Sequence, residues 1–491
     1  MKKITISKLF LYRHRFAIGY ILLAIALIIL LFGMPLISPN GLSEMEMEST
    51  VTSHEVSIKS IMDGQIADLP YHFLQQLSIS IFGLNAYAIK LPSIIIGCLL
   101  GILLILLLNR WFKNNVAIIA SILTVLSAPF LYIAGSGTPL IMLVFWPTLL
   151  LWLGSKIEGK TLPKTIYSIF FGLCLILSIF TPYLIYFAIF CIIYALIHPH
   201  LRFIVKSMPK AILVLGIIIT LTVISAFTLE VLRHPETLKS LTFMDDFSWG
   251  KYFSNIKDAF LPFFSWSGNI ESVFLAPMIG LASLALAITG LISTTKGFFA
   301  SRNSIASMFI IFTILLAGLN PFAAVLIIIP FAILTAHGIR YILEKWYGLF
   351  PENPYARILG LIPIATILGI MIVTSLSHYL FGYRYNPVVA DKFTNDLSLI
   401  YEKVEPGTTI LIQGGVLEYD FYHILEDKTD YTITTYVSNP DSKNIRIATL
   451  GKWPSKLSYN LSRIITSPKS TNSDRIYIYE GALEANQEKG E

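Results

Sequence analysis

Three glutamates stand at alternate positions in the stretch "GLSEMEMEST", residues 41–50: Glu44, Glu46 and Glu48. A carboxylate partly withdrawn from water holds a proton more tightly than one in solution, and can take it from a reacting hydroxyl. In an α-helix Glu44 and Glu48 would share a face and Glu46 would point away; in an extended segment all three would lie on one side. Singly, each is accounted for as a solvated residue at a helix start, where negative charge complements the dipole. Asp245 and Asp246, with Asp258 nearby, offer hard oxygen ligands for a divalent cation. Their plainer reading is a cap and solvated face for the aromatic helix that follows. His54-Glu55 and His234-Pro235-Glu236 could ligate zinc, but neither pair brings the further partners such a site needs. Arg233, Lys251 and Lys257 suit phosphate contacts, and equally suit cations reaching out from a membrane edge.

The frame that must hold these groups is a membrane protein. Of 491 residues, 55% are hydrophobic and 13% charged, against about 25% charged in a soluble domain. About 20 apolar residues cross a bilayer as helix, and eleven segments approach that: 16–37, 91–110, 116–134, 137–154, 165–180, 182–197, 211–230, 274–293, 305–319, 321–338 and 357–377. The first follows a basic start and lacks the short core and cleavage site of a secretory signal, so it is expected to be retained. The expected fold is mainly α, polytopic, with about eleven transmembrane helices.

Arg110 and Lys113, Lys156, Lys160 and Lys164, Arg202, Lys206 and Lys210, Lys296 and Arg302, and Arg340, Lys345 and Arg357 fall in loops on one side. The turns 135–139, 181–182 and 318–321 on the other side carry no Lys or Arg. This bias places the N-terminus in the cytoplasm and the C-terminus outside the plasma membrane. The net charge of +6 then reflects topology rather than a nucleic-acid partner. Cys98, Cys174 and Cys191 lie in apolar segments, with no disulfide or metal spacing.

Two outer loops are long, 38–90 and 231–273. In the first, Ser43 is positioned to cap a helix with Glu46 at its third residue, and "YHFLQQLSISIF" reads as an amphipathic helix lying at the interface. The second gathers Trp, Tyr and Phe around 243–267, as suits the membrane surface. Residues 1–380 form the transmembrane unit and 381–491 a small extracytoplasmic α/β domain, with helix-like 391–404, 419–429 and 454–464 alternating with strand-like 408–415, 431–437, 444–450 and 475–480. Gln413-Gly414-Gly415 reads as a tight turn; two glycines are too few for a nucleotide loop.

The order of a first helix, an acidic loop and then "LPYHFLQQLSISIFGLNAYAIKLPSIIIGCLLGILLILLLNRWF" (69–112) resembles the membrane glycosyltransferases of the C superfamily. The similarity is greatest to the branch of protein O-mannosyltransferases and aminoarabinose transferases. It centres on Ile81-Phe82-Gly83 followed by Lys90-Leu91-Pro92-Ser93. The resemblance implies transfer of a sugar from a polyprenyl-phosphate carrier to a protein, lipid or glycan acceptor at the outer face. It implies a first-loop carboxylate as base, often helped by a divalent cation; Glu44 matches that position and Glu46 is the next candidate.

The sequence also departs from the family. Ser43-Glu44 stands where an Asp-Glu pair is usual, and Asp68-Leu69-Pro70 where a Lys-Pro-Pro element contacts donor phosphate. Lys59 or Lys90 would have to replace that cation, alongside Arg233 and Lys251. The turn after the third helix is the bare "GSGTPL", and Leu319-Asn320 replaces an Arg-Tyr element. Three functions follow from these residues: a glycosyltransferase using a polyprenyl-phosphate donor, an inactive scaffold of the same fold that binds the carrier or assists envelope assembly, or a transporter or flippase. The last would call for intramembrane charges and inverted repeats, of which the sequence shows little.

Overall fold

The computed structural model describes residues 10–33, 37, 41–157, 162–206, 232–242, 248–261, 280–295, 301–349, 354–386, 389, 392–412, 415–426, 429–435, 446–450, 459–466 and 475–482, with isolated positions between 207 and 231. Most of the expected span 211–230, the Asp245–Asp246 pair and Gln413-Gly414 fall outside them.

Apolar runs become helices because a bilayer offers backbone groups no partners but their own. In chain order these are α1 (Phe10–Gly33), α2 (Glu44–Glu55), α3 (Ile58–Met62), α4 (Leu69–Phe82), α5 (Ala86–Trp111), α6 (Asn114–Val125), α7 (Ala128–Gly135), α8 (Leu140–Lys156), α9 (Leu162–Ser178), α10 (Leu184–Ile197) and α11 (Pro199–Lys206). After them come α12 (Pro235–Thr242), α13 (Trp249–Phe260), α14 (Leu281–Thr295), α15 (Ser301–Leu319), α16 (Ile328–Leu349), α17 (Pro354–Ser377), α18 (Asp396–Lys403) and α19 (Val416–His423). Five described helical stretches are long and apolar enough to cross a membrane, and a bent pair makes a sixth. Four shorter apolar helices, of 14–17 residues, occupy the remaining described segments. The chain is a multi-pass membrane protein.

Two expected spans are not single straight helices. The segment 116–134 breaks into α6 and α7, which meet at 57°. Pro129 cannot continue a helix from the preceding turn, and the Ala128 N–H released there donates to Ser375 Oγ at 2.8 Å. The segment 321–338 begins as a 3₁₀ turn, Pro321–Ile327, capped by Asn320, before α16.

Small residues set how closely the helices approach. A Cβ added at Gly290 of α14 would stand 2.0 Å from the Leu334 carbonyl oxygen, and one at Gly338 of α16 2.3 Å from that of Leu286. The two backbones are therefore in contact, the usual basis of helix association where no water drives it. Gly338→Val should cost about 1–3 kcal/mol through overpacking and lower the melting temperature in detergent. Gly348→Ala, in open space, should leave it unchanged.

The first long loop folds as α2, α3 and α4, and α4 is inside out. Phe73, Leu74, Leu77, Ile81 and Phe82 are exposed, while Tyr71, His72, Gln75 and Ser78 are buried against the bundle. An apolar face turned outward is the arrangement expected of a helix lying against lipid.

The C-terminal part carries a five-stranded sheet. Its strands, after the short β1 (Leu42–Ser43) and β2 (Phe393–Thr394), are β3 (Thr409–Leu411), β4 (Thr432–Thr434), β5 (Arg446–Leu450), β6 (Tyr459–Thr466) and β7 (Arg475–Ala482), in the order β4-β3-β5-β7-β6. β3 pairs parallel with β4 and β5, whereas β7 pairs antiparallel with β5 and β6. The helix expected over 454–464 is overturned: 459–466 is the edge strand β6. Its spacing of Leu457, Leu461, Ile464 and Ile465 suits a helix, but pairing with β7, with register shifts at 459–460 and 461–463, decides otherwise. β1 pairs antiparallel with β2, so the start of α2 is stitched to the strand that leads into the sheet domain.

Candidate functional site

Ser43 ends β1 and opens α2. Its Oγ accepts the Glu46 N–H at 3.4 Å, and Glu46 Oε2 accepts the Ser43 N–H at 2.8 Å and its hydroxyl at 3.2 Å. This capping box satisfies helix-end donors. It also turns Glu46 into the bundle, where Oε1 accepts the Gly137 N–H at 2.6 Å. Lys90 Nζ, at the start of α5, lies 3.8 Å from Oε1 and donates to the Gly41 carbonyl at 2.8 Å. Glu46 and Lys90 are each only 1% exposed.

A second layer surrounds this pair. Gln75 Nε2 donates to the carbonyls of Gly137 at 2.9 Å and Ile89 at 3.0 Å. Its Oε1 accepts from Ser53 at 2.6 Å and Ser49 at 2.9 Å, and Ser53 Oγ meets His72 Nδ1 at 2.8 Å. Burial pushes the His72 imidazole down to about 4, so it is neutral in this network. Tyr71 and Ser93 share a hydrogen bond at 2.8 Å, and Ser93 donates to the Thr138 carbonyl at 3.2 Å. The Gly137 peptide is thus held from both sides, N–H by Glu46 and C=O by Gln75. A side chain there would collide with Ile89, 2.7 Å from an added Cβ.

The three glutamates of the first loop therefore separate. Glu46 is surrounded by donors and acts as a pin between α2, α5 and the α7–α8 turn. Glu44 and Glu48 are exposed on the opposite face of α2, as helical spacing expects. Glu44, in the first turn, faces α19: its charge is the second cause, after burial, of a raised pKa at Glu418. Two carboxylates from distant parts of the sequence thus share the seam between the first loop and the sheet domain.

Asp68 is the further carboxylate that the structure brings in. It precedes α4 with a left-handed backbone, φ 51 and ψ 21, and does not cap the helix with its side chain. Its N–H donates to the Phe180 carbonyl at 2.7 Å. Oδ1 is sealed from solvent without a hydrogen-bond partner, and Thr181 lies against the carboxyl without completing a well-formed bond. Burial raises the Asp68 pKa well above the carboxylate range, a shift that the Thr181 contact partly opposes. A pKa raised in the fold means stability present below the unfolded value, about 3.9, and lost as pH rises through the folded one. Asp68→Asn should therefore raise the melting temperature at pH 7–8, with a gain that shrinks towards pH 4 in a thermal titration.

Of the cations expected to meet phosphate, Lys59, Arg233 and Lys251 are exposed, whereas Lys90 is the buried partner of Glu46. The segments carrying Lys59 and Arg233 are joined where Thr237 Oγ1 donates to the Gly64 carbonyl at 2.9 Å. Lys251 sits on α13, docked on the end of α15 by Asn255 Nδ2, which donates to the Gly318 carbonyl at 3.0 Å. Among the described residues no three His, Cys, Asp or Glu side chains converge as metal ligands, and Asp245 and Asp246 lie outside them.

Sequence reasoning missed Gly137, Gln75, Asp68 and Glu418. Gly137 acts through its peptide, which no residue type announces. Glu418 sits 374 positions from Glu44 (418 − 44), and only the fold joins them. Asp68 carried a signal, an Asp directly before Leu-Pro at a helix start, but read as a missing lysine.

Residues 69–225 match the family of dolichyl-phosphate-mannose-protein mannosyltransferases. No curated protein matches the chain in sequence. In fold the chain is similar to ArnT from Cupriavidus metallidurans bound to undecaprenyl phosphate, with a TM-score of 0.52 and 12% identity over 94% of this chain and 98% of that one. The apo state of that protein gives 0.53 and 13%, with the same coverage. Identity this low shows a shared fold. The sequence match is confined to residues 69–225, and over nearly the whole chain the likeness is one of fold.

Proposed function

We propose that this chain transfers a sugar from a polyprenyl-phosphate-linked donor to a hydroxyl-bearing acceptor at the outer membrane face, with the sheet domain on that side and the N-terminus in the cytoplasm. Glu44 is the base. It takes the acceptor proton as the oxygen bonds to the anomeric carbon, and the bond from that carbon to phosphate breaks. Lys59, Arg233 and Lys251 meet the departing polyprenyl phosphate, a stable anion that needs positioning and positive charge more than chemical activation. Lys90 acts as a positioning residue, since its ammonium is engaged with Glu46 and the Gly41 carbonyl.

The observation that carries this reading is the pairing of an accessible Glu44 with the pinned Glu46. A capping box fixes α2 so that one carboxylate faces the seam while its neighbour anchors the loop. The outward apolar face of α4 keeps that seam at the lipid surface, where a polyprenyl carrier resides. The likeness to a fold seen with undecaprenyl phosphate supports the same reading.

A second reading has an observation of its own. Glu46 and Lys90 neutralise each other inside the protein, and buried tyrosines, among them the stacked Tyr132 and Tyr383 at 4.9 Å, fill the space beside them. A filled site favours a scaffold that engages the carrier without turning it over. Release of polyprenyl phosphate by purified protein, measured over a panel of polyprenyl-phosphate sugars and hydroxyl acceptors, decides between the two: turnover supports transfer, and binding of the carrier without release supports the scaffold.

A further inference from the structure

The end of the bundle remote from α2 holds a second polar cluster that the proposed function does not use. From Lys90 to Trp111, α5 rises about 30 Å. At that far end Arg302, in the first turn of α15, donates from Nη1 to the Trp111 carbonyl at 2.7 Å. Its guanidinium lies 5.7 Å from the centroid of the Phe112 ring, and His337 of α16 meets the same ring edge-on at 4.8 Å.

His337 is 2% exposed, inside a helix apolar enough to span the membrane. Its Nε2 is sealed from solvent and has no hydrogen-bond partner among the described residues. A buried polar nitrogen without a partner is costly, and a polar ring inside a span calls for a reason. Arg340 lies three residues on, on the same helix face. Arg302 and Arg340 repel one another through space, and both act on His337. Glu344 offsets part of this charge, bonding Arg340 at 2.7 Å with both side chains substantially exposed. Arg302 has a local reason, since it satisfies a carbonyl at the end of α5. The unpartnered His337 Nε2, which shares the Phe112 ring with Arg302 of the 19-residue α15 and feels both arginines, has none.

We propose that His337, Arg302 and Arg340 form an anion site that takes a phosphate group, as borne by an anionic phospholipid headgroup or by free phosphate. A phosphate there gains charge-assisted bonds from the two guanidinium groups and the field at the start of α15, and accepts from the imidazole. Bound, it ties α5, α15 and α16 together at the end opposite the first loop.

The test compares melting temperatures in nanodiscs of phosphatidylcholine, of phosphatidylglycerol, and of phosphatidylcholine with added inorganic phosphate. Wild type should melt at least about 3 °C higher with the anionic lipid than with the zwitterionic one. A rise with inorganic phosphate as well identifies the free anion as a ligand; a rise with phosphatidylglycerol alone identifies the lipid. His337→Phe keeps the packing against Phe112, and Arg340→Gln leaves the Arg302 cap intact. Both should abolish the difference between discs whatever their own melting temperature. No difference in wild type, or the same difference in both variants, overturns the site.

Discussion

Replacing Glu46 with Gln should destabilise the protein by about 3–5 kcal/mol, because it removes the carboxylate charge beside the buried Lys90 ammonium. The Gly137 N–H can still find an amide oxygen, so the loss is chiefly electrostatic. In thermal or denaturant unfolding the single variant should melt well below wild type. Adding Lys90→Met to Glu46→Gln removes the buried positive charge as well and should recover a large part of the loss, since buried ion pairs exchange for apolar groups at little cost. A Glu46→Gln protein as stable as wild type would mean that the pin between α2, α5 and the α7–α8 turn is not needed to hold the first loop.

Glu44→Gln should act the other way, sparing the fold and removing turnover. Glu44 is exposed at the first turn of α2, and its amide isostere costs little beyond a favourable dipole interaction of about 0.3–1 kcal/mol. As the proposed base it should contribute about 10²–10⁴-fold to the rate of sugar transfer. The expected result is a fall in kcat of that order, with KM for the donor and melting temperature near wild type. Glu48→Gln, one turn further along the same exposed face, serves as the control. Equal losses in both would point to the charge of the helix rather than to a base, and no loss at Glu44 would remove it from the chemistry.

The separation of these two glutamates shows where reading the sequence reaches its limit. Ser43 followed by Glu46 specified the capping box, and a capped helix fixes which glutamates share a face; both were legible in residues 43–48. Most apolar segments likewise appear as helices where their composition put them, because a chain in lipid has no other way to satisfy its backbone. The pattern failed at Pro129, where a span bends, and at 459–466, where pairing with β7 overrode helical spacing.

The sequence by itself determined that this is a helical membrane protein with an acidic, capped first loop and a small α/β unit after the last helix. Those features depend on local composition and on spacings of a few residues. The tertiary structure alone decided that Glu46 faces Lys90 and the Gly137 peptide, that Glu44 faces Glu418, and that Asp68 is sealed against the α9–α10 turn. Each of these joins groups far apart in the chain, and burial and electrostatic partnership are properties of that assembly rather than of any stretch of sequence.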